Sequence, residues 1–164
     1  MKAKQRNSKI LLSGTLISRV CYFMSVPYLA IYLNQKAGFT PAEVGLIVGV
    51  NPLLSVLCSF FSGKIVDRIA LKKLLIAVPI VWGVIFLGIS LAENFSQFLL
   101  LNAANGICYV LYEPACKKAL SLSGGKKRLL LFNLRYGAIN LGAVCGPLLN
   151  SFFHLEQSVQ PYLF

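Results

Sequence analysis

Three charges and a few amides stand where a chain this apolar has least use for them. Arg19 lies about ten residues into the first long apolar run, near mid-depth if that run crosses a bilayer at about 1.5 Å per residue. Placing a cation there costs on the order of 3 kcal/mol, so it faces a polar cavity, a substrate or a counter-ion, or it snorkels or pairs structurally. Tyr22, Ser25, Tyr28 and Tyr32 follow at helical spacing, either as substrate contacts beside Arg19 or as packing. Further on, Asn102, Gly106, Tyr109 and Glu113 fall at i, i+4, i+7 and i+11, one stripe of a helix, with Asn105 beside it. Two amides in an apolar helix need partners. They form either the wall of a central cavity or hydrogen-bond glue between helices. Glu113 is the one carboxylate placed to meet the basic segment Gly63–Lys73, and a gating ion pair with Arg68 or Lys72 is expected. Arg135, in the last apolar run, either reaches Glu113 or snorkels.

Other chemistries lack their residues. The only histidine is His154 and the only aspartate is Asp67, so there is no Ser/His/Asp set, no HExxH and no carboxylate cluster for a metal. Gly124-Gly125 before Lys126-Lys127-Arg128 makes a flexible basic loop, without a phosphate-binding motif. Cys21, Cys58, Cys108, Cys116 and Cys145 are odd in number, show no CxxC spacing and read as reduced packing residues. No cofactor, metal site or enzyme activity is expected.

What must position the charges is a set of membrane helices. Hydrophobic residues make up 57% of the chain and charged residues 13%, with mean hydropathy +0.71, too little polar surface for a soluble domain. The net charge of +11 does not suggest nucleic acid, because the cations sit in short connectors between apolar runs rather than on a folded polar face. The expected partner is the lipid bilayer. The runs predict an all-α bundle of five spans within one transmembrane domain: about 10–33, 42–62, 74–92, 96–116 and 129–153. The second opens on a capping box, Thr40-Pro41-Ala42-Glu43, and Asn94 or Ser96 caps the fourth. Pro27, Pro52, Pro79 and Pro147 fall inside spans, where bundle neighbours satisfy freed carbonyls. Gly45 and Gly49 on the second span, and Gly137, Gly142 and Gly146 with Pro147 on the fifth, read as close-packing devices.

The cations also fix an orientation. Thirteen lie in the N-terminal segment and the second and fourth connectors. The first and third connectors and the tail hold only Lys36. This asymmetry predicts a multi-pass plasma-membrane protein with its N-terminus in the cytoplasm and its C-terminal tail outside.

With those residues in place, the chain resembles the major facilitator superfamily of secondary transporters. The segment Gly63 to Leu74 is similar to the family signature between the second and third helices. Gly63, Asp67, Arg68, Lys72 and Lys73 match it, while Ala70 replaces the second glycine and Leu71 the first following arginine. Gly142-Ala143-Val144-Cys145-Gly146-Pro147 resembles the G-x-x-x-G-P element of the antiporter branch, with Asn150 where a glycine is usual. Tyr112-Glu113-Pro114-Ala115 resembles the acidic Pro-Ala ending of drug-efflux-like members. Asn102 stands where many members carry the arginine linked to proton coupling.

The resemblance implies efflux of a small-molecule substrate by alternating access, with the Gly63–Lys73 segment latching a cytoplasmic gate and a proton as the coupling ion. From the residue patterns above, the candidate substrate contacts are Arg19, Tyr22, Tyr28, Asn102, Asn105 and Tyr109, and the helix-packing positions are Arg135, Gly142, Gly146 and Pro147. Family members have two six-helix halves. The chain then corresponds to the first half less its sixth helix, a truncated member that needs a second half. The competing expectation is a membrane interaction protein, or inactive remnant, that transports nothing.

Overall fold

The computed structural model describes residues 2–35 and 38–152. Five long helices account for nearly all of them: α1 Lys2–Gln35, α2 Pro41–Arg68, α3 Leu71–Leu91, α4 Phe95–Gly124 and α5 Arg128–Phe152. A single 3₁₀ turn, Gly125–Lys127, joins the last two. His154 and the tail lie outside the described residues.

The helix starts follow the capping chemistry of the sequence. At α2, Thr40 Oγ1 accepts from the Glu43 N–H at 3.4 Å, and the Thr40 N–H donates to Glu43 Oε2 at 2.8 Å. At α4 the cap is Asn94, whose N–H donates to Gln97 Oε1 at 3.2 Å. Pro52, Pro79, Pro114 and Pro147 all lie within continuous helices. The turn after α4 needs Gly125, whose φ of 48° most side chains avoid.

The Gly63–Lys73 segment differs from the expected loop. Only Ile69 and Ala70 separate α2 from α3. Gly63, Asp67 and Arg68 belong to the end of α2, and Lys72 and Lys73 to the first turn of α3. Helix continues because it satisfies backbone groups that an open loop at the membrane surface would leave to water. Two lysines in a first helical turn oppose the macrodipole, so local helix stability does not explain them.

α2, α3, α5 and the part of α1 from Lys9 are each long and apolar enough to cross a membrane. α4 has 30 residues but a more polar composition, and it turns its amides inward: Asn102 and Asn105 are buried. It is the central helix and touches the other four. Outside, the bundle is apolar. Phe60, Phe61, Ile80, Val84, Leu91, Leu100, Leu129 and Leu148 are all exposed, a surface that suits acyl chains and not water.

Two helix pairs lie closest. α2 and α4 run parallel, with Asn102 beside Ile47 and Gly106 beside Asn51. α1 and α5 also run parallel, with Gly142 against Arg19 and Val20 and Gly146 against Phe23 and Met24. A Cβ at Gly142 would lie 2.7 Å from Arg19 Cβ, and one at Gly146 2.8 Å from the Met24 nitrogen, so only glycine permits this approach. Gly45, Gly49 and Gly137 have nothing within 4 Å of an added Cβ, so they are not contact glycines.

A candidate charge-coupled site in the bundle

Three helices converge on Glu113. From α5, Arg135 forks its carboxylate, with Nη1 donating to Oε1 at 3.0 Å and Nη2 to Oε2 at 2.6 Å. From α1, Arg19 Nη2 donates to Oε2 at 3.1 Å. From its own helix one turn on, Lys117 Nζ lies 3.4 Å from Oε1. The arginines are buried, Arg19 8% and Arg135 1% exposed, whereas Lys117 reaches water. A two-pronged arginine–carboxylate contact out of water is among the stronger polar contacts available, which is why these groups tolerate the interior.

Aromatic rings surround the Arg19 end. Its guanidinium carbon lies 5.2 Å from the ring centre of Tyr109 and 5.9 Å from that of Tyr22. The electron-rich faces favour a cation at this range. Glu113 and Tyr109 also line an open groove of about 320 Å³ on the α2–α4 side, together with Ser55, Ser59, Ser62 and Lys117. A smaller cavity of about 20 Å³ lies on the opposite side, bordered by Thr15, Ser18, Arg19, Tyr22, Trp82 and Arg135 among others.

The expected pairing of Glu113 with Arg68 or Lys72 is not what the structure places. The carboxylate is taken by Arg135, Arg19 and Lys117, because it sits more than a turn deeper than the end of α2. The acid that meets α4 from the end of α2 is Asp67, whose Oδ1 accepts from Lys118 Nζ at 2.6 Å. Lys118 Nζ also donates to the Val66 carbonyl at 3.4 Å. This pair is exposed, 37% for Lys118 and 73% for Asp67. Gly63, Arg68, Lys72 and Lys73 are exposed too, and Arg68, Lys72 and Lys73 make no ion pair among the described residues.

The amides join helices. Asn102 Nδ2 donates to the Ile47 carbonyl, and its Oδ1 accepts from Asn51 Nδ2 and Asn105 Nδ2, each at 3.4 Å. Asn105 Oδ1 accepts from Trp82 Nε1 at 2.8 Å. Of the two sequence alternatives, this geometry is hydrogen-bond glue across α2, α3 and α4. Tyr28 is half-buried and takes no part in the charge cluster. Pro147 lies within α5 just past Gly146, and Asn150 Nδ2 donates to the Met24 carbonyl at 2.8 Å.

Several partners were not picked out from sequence. Lys117 carried a usable signal, four residues after Glu113 on the same helix face. Asn51, a lone amide in an apolar span, also carried one. Lys118 did not, since nothing local links it to Asp67, 51 residues away.

The family description Major Facilitator Superfamily matches residues 11–163, which is most of the chain. The chain belongs to the major facilitator superfamily. This family is one of transporters rather than enzymes, so the bundle is a multi-pass membrane protein of a transport family. Over 92% of its length the chain is 40% identical to YqjV of Bacillus subtilis (strain 168), named an uncharacterized MFS-type transporter, of which it covers 37%. It is 29% identical over 90% of its length to a protein of Planococcus maritimus named a Na(+), Li(+), K(+)/H(+) antiporter, covering 36% of it. It is 26% identical over 98% of its length to the multidrug resistance protein MdtG of Dickeya zeae (strain Ech586), covering 40%. The chain thus spans well under half the length of these superfamily relatives. No solved structure gives a significant match.

Proposed function

We propose that this chain forms the first half of a secondary transporter that exports a small solute across the plasma membrane by alternating access, its N-terminus in the cytoplasm. The observation that carries the reading is the contrast between two sets of ion pairs. The Glu113 cluster is buried and ties α1, α4 and α5 together. Losing one partner of such a cluster costs about 3–5 kcal/mol, so the helices it joins move as one body. The Asp67–Lys118 pair is exposed, and a pair of that kind is worth about 0–1 kcal/mol. It can break and re-form during turnover, which is what a gate latch at the end of α2 and α4 requires. A rocking mechanism moves one rigid half against another around a midplane site.

The groove beside Tyr109 and Glu113 is the surface that a second half would face. Relatives named an antiporter and a multidrug resistance protein support proton-coupled efflux as the direction and driving force. Glu113 is a poor proton carrier while two arginines hold it, so the coupling proton would use it only in a state where Arg19 or Arg135 has withdrawn.

Inverted vesicles carrying the chain with a second half, and a pH-gradient dye, test the latch. Addition of sodium, potassium or lithium salts, or of ethidium, is expected to evoke proton movement. Asp67→Asn should cut it by up to about fivefold at unchanged membrane level, the change expected when a coupling of about 1 kcal/mol is lost. Unchanged flux in Asp67→Asn would end the latch assignment. No response to any of these solutes would favour a membrane interaction protein instead.

A further inference from the structure

The charges in the bundle do not balance. Arg19 and Arg135 bring two buried cations to one carboxylate, Glu113. Lys117 adds a third cation at the rim. Three other acidic residues are described, and none of them joins this cluster. Glu43 is held in the Thr40 capping box. Glu93 lies in the turn between α3 and α4, and Asp67 is paired with Lys118. The rings of Tyr22 and Tyr109 soften the excess but carry no charge. A net cation in an apolar interior calls for a counter-ion.

The structure also has a place for one. The cavity of about 20 Å³ between α1, α3, α4 and α5 is bordered by both arginines. It holds about one water-sized group. The hydroxyl residues Thr15, Ser18 and Tyr22 border it as well. Arg135, almost fully buried, has its Nε N–H without a hydrogen-bond partner among the described residues. A guanidinium donor left unpaired out of water is costly, and an anion beside it would remove that cost.

We infer that this cavity is a binding site for one small monovalent anion, a halide or the carboxylate oxygen of a small organic acid, held by Arg19 and Arg135 with Glu113 as the antagonist charge. The site stands whether or not the chain transports, because it rests on charge count and cavity rather than on movement.

Trp82 gives the readout. It is the chain's single tryptophan and it borders the cavity. The purified chain in phosphatidylcholine nanodiscs would be titrated with bromide, which quenches tryptophan on contact, at constant ionic strength with gluconate as the bulky counter-ion. A saturable quench displaced by chloride is expected. Arg19→Gln keeps the Arg135–Glu113 fork but removes the excess charge, and should weaken binding about tenfold or more, whereas Arg19→Lys should retain it. Glu113→Gln should act in the opposite sense and tighten binding by about tenfold or more, a sign that a merely structural role would not produce. If that variant does not fold, Arg19→Gln against Arg19→Lys decides.

Displacement by acetate as well as chloride would extend the ligand to carboxylates, and displacement by chloride alone would restrict it to halides. Both support the site. Quenching that is linear in bromide and equal in all variants would overturn it. So would loss of the chloride-sensitive component in phosphatidylglycerol nanodiscs, which would assign the charge to a lipid headgroup.

Discussion

Glu113→Ala is expected to destabilise the bundle by about 3–5 kcal/mol, the largest effect of any single substitution here. The carboxylate is the shared acceptor for two buried guanidiniums on different helices. Removing it leaves both cations in the interior, with tyrosine faces beside Arg19 alone. The loss is therefore mainly an uncompensated charge rather than a lost contact. That argument makes a second expectation. Replacing all three groups by apolar residues of similar size, Arg19→Met, Arg135→Met and Glu113→Leu together, removes the desolvation cost along with the attraction and should restore most of the stability. Thermal unfolding of the detergent-solubilised protein measures both. If Glu113→Ala melts like the parent chain, the three groups are not coupled as described. If the apolar triple variant melts as low as Glu113→Ala, packing rather than charge holds this region.

Gly142→Ala and Gly146→Ala are each expected to cost about 1–3 kcal/mol, as overpacking does. The added methyl at Gly146 would stand 2.8 Å from the Met24 nitrogen and the Phe23 carbonyl carbon. At Gly142 it would stand 2.7 Å from Arg19 Cβ and 3.0 Å from the Arg19 carbonyl carbon. These are backbone atoms or atoms next to it, so the helices must separate. Because Arg19 is displaced directly, Gly142→Ala should also loosen the Arg19–Glu113 contact. Gly45→Ala and Gly49→Ala are the matched controls. Nothing lies within 4 Å of their added methyl groups, and alanine favours helix by about 1 kcal/mol over glycine. The same melting measurement should therefore show two losses and two small gains. Equal effects at all four positions would contradict the close approach of α1 and α5.

Hydropathy made the helices legible because the period and length of apolar runs depend only on local sequence. The capping box at Thr40 was legible for the same reason, donor and acceptor being three residues apart, whereas at α4 the sequence left Asn94 and Ser96 as alternatives. Connector geometry was less so. The charged residues around Gly63–Lys73 look like a loop in a hydropathy profile, but helix ends can carry charge, and they do so at Asp67, Arg68, Lys72 and Lys73. The site was half visible. Arg19, Glu113 and Arg135 stood out because an ionisable group in an apolar run is expensive. Their joint meeting did not, because it depends on the rotation of three helices about their axes. The glycines show the same limit. Gly142 and Gly45 look alike in sequence, and only the packing separates a contact glycine from one that faces open space.

The central claim is a membrane bundle with its basic helix ends on the cytoplasmic face. Cysteine labelling in intact cells tests it most directly, with the five native cysteines replaced by alanine and single cysteines introduced at Glu93→Cys, between α3 and α4, and Lys72→Cys, at the start of α3. Both positions are exposed. A membrane-impermeant maleimide is expected to label Glu93→Cys in whole cells and Lys72→Cys only after the membrane is opened. Labelling of Lys72→Cys in intact cells, or of both positions alike, would contradict the orientation and the cytoplasmic latch built on it.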